Sequence, residues 1–287
     1  MTEKRDLPAH IAAALAGAGG PADSAGQPWS GRDLSGPGNP LHNFDADDGS
    51  ADAGYVAAIS ALAAGRGGEA GVLHSLASAR VFVPIVAQLG EEAEGAHGVK
   101  ADKQADMALV TLKAPDGRRA LPVFTSSAAL EAWHADARPV AVYAARAALS
   151  AVAEKADLLV VDPGAEITFV VRRPGVWALA QQREWTPSYE DASLADFVAE
   201  AADGETDIVR IALAPGSGIA ARTAAGQVIA GGGAGPELCL MLAVRDGLDQ
   251  AQLQELAKRL QSRLAVSKDF AERVDSLEIR FTRSAAE

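Results

Sequence analysis

The residues in this chain able to do chemistry are few and scattered. Five histidines, His10, His42, His74, His97 and His134, show neither HExxH nor H-x-H spacing, so no pair is set by sequence to share a metal. Cys239, the single cysteine, stands in the apolar run ELCLMLAV, where a thiol acts as a small hydrophobe; one cysteine excludes an intrachain disulfide and a multi-cysteine metal site. Ser126 and Ser127 lack the G-x-S-x-G elbow and a nearby base. Asp45, Asp47, Asp48 and Asp52 are dense enough for a calcium loop, but an EF-hand counted from Asp45 would need glycine and glutamate where Ser50 and Val56 stand. Glu91 and Glu92 form a carboxylate pair in a polar loop, where sequence fixes neither the separation nor the burial that sets catalytic pKa values.

One motif approaches a cofactor fingerprint. GSGIAA at Gly216–Ala221 follows an apolar run and approximates the G-x-G-x-x-A turn that brings backbone amides to a pyrophosphate. The fingerprint requires a helix next, whereas ARTAAGQVIAGGGAG is broken by Gly226 and by the glycine run from Gly231, and no acid stands at a ribose position. A hairpin connection is therefore expected, and no catalytic, cofactor-binding or metal-binding residue is assigned.

The formal charge of −12 and the pI near 4.9 weigh against affinity for nucleic acid or an anionic membrane, both of which need clustered Lys and Arg. Lys258, Arg259, Arg263 and Lys268 form the one local exception and read as favourable charges on the last turns of a helix. No run approaches the ~18 apolar residues of a membrane span. The start, MTEKRDLPAHIAAALAGAGG, imitates a signal peptide but is interrupted by Asp6, Pro8 and His10, so a cytoplasmic location is expected.

Positioning of these residues falls to alternating strands and helices. Residues 17–50 are rich in Gly, Pro, Ser, Asp and Asn and read as a tail in which Trp29, Leu34, Leu41 and Phe44 are isolated apolar residues, expected to dock on the folded body. Ser50 is a plausible cap for a helix whose Tyr55, Val56, Ile59 and Leu62 share a face and which ends at Gly65. A second helix, Glu69–Ser78, leads into the strand Arg80–Ala87, and a polar loop covers 88–105. Met107–Lys113 and Arg119–Phe124 read as strands around the turn Pro115-Asp116-Gly117. Ala120–Val142 then reads as strand, helix and strand, with Leu130 and Trp133 anchoring the helix. A further helix at Ala145–Lys155 and the strand in DLLVVDPG imply partly parallel pairing. ITFVVRR and Pro174–Gln182 close the first unit. The second reads as helix Leu194–Ala202, strands Ile208–Ala214 and Leu238–Arg245, helix Asp249–Leu264 with an Asp249/Gln252 capping box, and strand Leu277–Thr282.

At these spacings HSLASARVFVPIV, DGRRALPVFTSSAALEAWH, ARPVAVYAA and LLVVDPG, over Glu69–Gln182, resemble the SseB N-terminal domain, named for an enhanced serine sensitivity phenotype. ALPVFTS followed by an L-x-x-W helix is the most specific part. PWSGRDL and NFDADDGSAD resemble actinobacterial versions, and the C-terminal half is similar, more weakly, to the family's smaller C-terminal domain. The resemblance implies an α/β (α+β) fold of two small mixed-sheet domains with helices packed on the sheets: a disordered tail at 1–50, an N-terminal-like domain at 51–185 and a C-terminal-like domain at 191–287. It supplies no catalytic residues. The expected function is that of a non-enzymatic cytosolic protein acting through protein–protein binding and modulating a partner enzyme, with a small-molecule binding or sensing domain as the alternative. Neither nucleic acid nor membrane is an expected partner, and the oligomeric state is open. The expected interaction surface comprises Trp133, His134, Asp162, Pro163 and Gly164, with the groove between the domains.

Overall fold

A computed structural model describes residues 44, 46–89 and 105–283. The architecture is mixed α/β. Helices α1 (Ala53–Ala63) and α2 (Glu69–Ser78) precede β1 (Arg80–Leu89), and β2 (Ala105–Leu109), β3 (Leu112–Lys113), β4 (Arg119–Val123), α3 (Ser127–Trp133), β5 (Arg138–Tyr143) and α4 (Ala144–Ala153) follow. Then come β6 (Leu158–Val161), β7 (Phe169–Val171) and α5 (Arg173–Ala180). The remainder is α6 (Leu194–Ala201), β8 (Ile208–Pro215), β9 (Ala220–Arg222), β10 (Val228–Gly232), β11 (Leu238–Val244), α7 (Gln250–Val266), α8 (Lys268–Arg273) and β12 (Leu277–Arg283).

Two sheets share the first half. One has the order β2-β1-β5, antiparallel throughout, and the other β3-β4-β6-β7, in which β4 and β6 run parallel. The strand–helix–strand unit at Ala120–Val142 is present, but its strands lie in different sheets: β5 pairs with β1, and β4 waits for β6. The expected strand Met107–Lys113 is likewise divided, β2 joining β1 and β3 forming the hairpin with β4. Periodicity reports which face of a strand is buried, not which neighbour it pairs with, so both divisions escaped the sequence. One bridge joins the sheets, with Phe82 N donating to Phe124 O at 2.7 Å and Phe124 N to Phe82 O at 2.9 Å. Pro84 stands opposite Pro139 in the β1–β5 register, on the alternation where Phe82 turns its N–H away from β5. A missing N–H there breaks no bond of that ladder.

Alanine lets α4 lie close on the sheet: Ala144, Ala147, Ala148 and Ala151 are fully buried among Leu121, Val123, Leu159 and Val161. A smaller cluster of Phe82, Phe124, Leu130 and Ala137 fills the space under α3. In the second half, β11 lies between β8 and β12, and Leu238, Leu240, Leu242 and Val244 pack on Leu256, Leu260 and Leu264 of α7. The Asp249/Gln252 capping box is formed. The short helix α8, capped by Ser267, was not foreseen.

Helix α1 starts later than expected. Its cap is Asp52, which accepts from Tyr55 N at 3.0 Å, and Val56 is exposed while Tyr55, Ile59 and Leu62 are buried. Part of the stretch read as tail is bound: Arg80 donates to both carboxylate oxygens of Asp47, at 2.7 and 2.8 Å, and to Ser50 O. Ser127 N donates to Gly49 O at 2.9 Å.

Candidate functional site

The expected interaction residues meet at the carboxyl ends of the parallel strands β4 and β6. There Thr125 N and Oγ1 both donate to the Asp162 carboxylate at 2.7 Å. Asp162 is a correction to the sequence reading. It is 8% exposed, so it braces the strand ends and offers no surface contact. Burial raises its pKa, an effect partly offset by the two bonds from Thr125. Its φ of +50° lies in the left-handed region, which Asp tolerates better than most residues. The Tyr55 hydroxyl is buried nearby with no hydrogen-bond partner among the described residues, and burial together with the Asp162 charge raises its pKa.

Above Asp162, the Trp133 ring stands 5.2 Å from that of Phe124 and 5.8 Å from that of His134. A Cβ on Gly164 would lie 3.9 Å from Trp133. Trp133 and Pro163 are half-buried, while His134 and Gly164 are exposed. Ligands commonly enter between parallel strand ends, but Arg80 occupies this end: besides Asp47 and Ser50 it binds Thr125 O at 2.6 Å, and it lies 4.1 Å over the Phe82 ring. These residues form a surface with Arg80 across the strand ends.

A space large enough for a ligand lies at other elements. An open groove of 840 Å³ runs between α2, Tyr143 at the end of β5, and the segment that leaves α5. Leu73, Ala77, Leu179 and Trp185 give it an apolar floor, and His74, Gln182, Arg183 and Glu184 a polar rim. Its outer wall is set by a helix stop. Gln182 N donates to Leu179 O at 3.0 Å and Arg183 N to Ala178 O at 2.9 Å, with Gln182 at φ +53°, which turns the chain back along α2. Tyr143 is 47% exposed, and its ring meets that of Phe44 at 5.0 Å. The sequence assigned none of these residues to a site, because the groove forms only when helix and loop segments distant in the chain are brought together.

A buried polar network beneath was also missed. Glu69 and Arg172, each with a side chain 1% exposed, pair at 3.0 and 3.1 Å, and Glu69 also accepts from Tyr189 Oη at 2.9 Å and Gly232 N at 2.7 Å. Arg172 Nε and Nη2 have no acceptor among the described residues. Glu237 accepts from Ser188 N at 3.3 Å and Asp275 N at 3.0 Å, and burial raises its pKa. Arg173 reaches Ala271 O and Val274 O at 2.8 and 2.7 Å, and Arg118 meets Asp275 at 2.8 Å. The two Arg ending the apolar run TFVVRR were the available signal; their acceptors lie 98 to 103 residues away.

Other sequence candidates have structural roles. Cys239 is buried, and burial followed by Glu278 raises its pKa. Gly216 and Gly218 serve backbone against backbone: an added Cβ would come within 2.3 Å of Pro236 O and 2.2 Å of Gly235 Cα. Arg259 and Arg263 bind Glu205, and Arg263 also holds Ala201 O at the end of α6 and Asp203 O just beyond it. Asp48 turns back on Ser50. His10, His42, His97, Asp45, Glu91 and Glu92 lie outside the described residues. Among the described residues, no three His, Cys, Asp or Glu gather where a metal could bind, and no helix is long and apolar enough to cross a membrane.

Comparison with curated proteins and comparison with solved structures each return no significant match. A family model does match. Residues 56–178, which supply most of α1, all of α2, both sheets of the first half and Tyr143 of the groove, match the SseB protein N-terminal domain.

Proposed function

We propose that this protein is a non-enzymatic binding module that holds a short peptide segment of a partner protein in the groove between α2 and residues 179–186. One observation carries the reading: the groove combines an apolar floor with a polar rim and a half-exposed tyrosine at its mouth, the make-up of a site that anchors a few side chains and excludes water around them. The Trp133–His134–Gly164 surface would be a secondary contact, and residues 191–287 would correspond to the family's smaller C-terminal domain, of actinobacterial type. The volume favours a second reading, a small-molecule sensor, because 840 Å³ falls inside the range of about 300–1,000 Å³ usual for such sites. A cytoplasmic setting fits either.

Gly71 supplies the test. It lines the groove, and an added Cβ there meets nothing within 4 Å, so a side chain is admitted at this position without a clash at its root and Gly71→Trp places bulk at the groove wall. Peptide-display panning against the full-length chain is expected to yield peptides whose binding Gly71→Trp abolishes. Peptides bound equally by both proteins would reject the groove as the site. Metabolites that raise the melting temperature of the wild type but not of Gly71→Trp would favour the sensor.

A further inference from the structure

We infer that the first occupant of the groove is the protein's own segment 29–43, with Leu41, Leu34 and Trp29 as its anchors, so that the protein guards its own binding surface. The inference rests on the groove being that surface, and it names the occupant. Residues 29–43 lie outside the described residues; the argument is built from where the described chain begins. Phe44 sets its ring on Tyr143, a lining residue, so the chain arrives at the mouth of the groove. That arrival point is fixed by Asp47 and Ser50 on Arg80 and by Gly49 on Ser127. From there Leu41 is three residues upstream, a reach of about 10 Å, and Leu34 is ten upstream, a reach of about 33 Å. Between Pro28 and Phe44 the large apolar residues are Trp29, Leu34 and Leu41, set among Gly, Pro, Ser and Asn, so the segment offers spaced anchors and little else to bury. Tethering favours this occupant over a second copy, since a short tether gives an effective concentration on the order of millimolar.

The test keeps the full chain. Leu41→Cys is combined with Gly71→Cys in the groove, or with Val140→Cys, which is 38% exposed on β5 three residues from Tyr143 and lines no part of the groove. Native Cys239 is buried, which shields it from exchange. Under mild oxidation the first pair is expected to form an intramolecular disulfide at least about tenfold faster than the second. Equal rates, or disulfide-linked dimers as the main product of the first pair, would overturn the inference. As a second measurement, Leu34→Ser/Leu41→Ser should bind a groove-dependent peptide from the panning about tenfold more tightly than the wild type, the gain expected when an occupant filling about nine sites in ten is released. Equal affinity for both proteins removes the self-occupancy and leaves the groove reading standing. If panning yields no groove-dependent peptide, the groove reading fails, and the disulfide rates decide the segment's position by themselves.

Discussion

Neutralising either partner of the buried Glu69–Arg172 pair should cost more than neutralising both. In Arg172→Met the Glu69 carboxylate keeps Tyr189 Oη and Gly232 N but loses its cation in a site 1% exposed. Breaking one side of such a pair costs about 3–5 kcal/mol, a large part of a total stability of roughly 5–15 kcal/mol. In Glu69→Gln the guanidinium loses its bonded carboxylate instead and keeps only the unbonded charge of Glu237, because its Nη1 binds Glu69 and its Nε and Nη2 have no acceptor among the described residues. A similar cost follows. Glu69→Gln/Arg172→Met holds no net charge, and the glutamine oxygen still accepts from Gly232 N, so about 1–2 kcal/mol should cover what is lost. Urea titrations followed by tryptophan fluorescence and by far-ultraviolet circular dichroism measure all four proteins. The reasoning fails if Arg172→Met costs less than about 1 kcal/mol, or if the single costs simply add in the double variant.

Lys155 closes α4 at φ +55° with Lys155 N on Val152 O and Ala156 N on Ala151 O, so Lys155→Gly should stabilise by about 0.5–1 kcal/mol, read as a higher urea midpoint. Gly218→Ala should cost about 2–3 kcal/mol or leave the chain insoluble, since its Cβ would meet Gly235 at 2.2 Å; a melting temperature equal to the wild type would contradict the packing. Asp162→Ala should cost about 2–3 kcal/mol by stranding Thr125 N, while Asp162→Asn, at ease at φ +50°, should cost under about 1 kcal/mol. Asp162 and Glu237 also set a pH dependence. Burial raises both folded pKa values, so the folded chain holds these protons more tightly than the unfolded one, and this contribution to stability is lost as pH rises from about 4 through the folded values. Asp162→Asn should flatten that slope in urea titrations between pH 4 and pH 7, and an unchanged slope would contradict the assignment.

Legibility in the sequence followed the range of the forces involved. Helix α2 ran where its pattern placed it, and Asp249 with Gln252 announced the start of α7, because caps and amphipathic faces are settled within a few residues. The hairpin at Asp116-Gly117 was readable for the same reason, Gly117 taking φ +90°. Pairing across distance was not. Nothing local tells β5 to join β1 rather than β4, and Glu69 reads as an ordinary helix-start acid until Arg172, Tyr189 and Gly232 close around it. The groove was hidden likewise: Tyr143 reads as a strand end and Trp185 as part of the junction REWTPSYEDAS, and only the turn at Gln182 brings residues 182–186 back along α2.

The donors that satisfy Glu69 also impose a timetable on synthesis. Arg172 follows it by 103 residues, Tyr189 by 120 and Gly232 by 163. At translation rates of roughly 5–20 residues per second, the nascent chain must carry this glutamate for roughly 8–30 s before its last partner is made. Until then α2 has reason to keep its first turn in water, so the groove that α2 walls should be among the last features of the molecule to take shape.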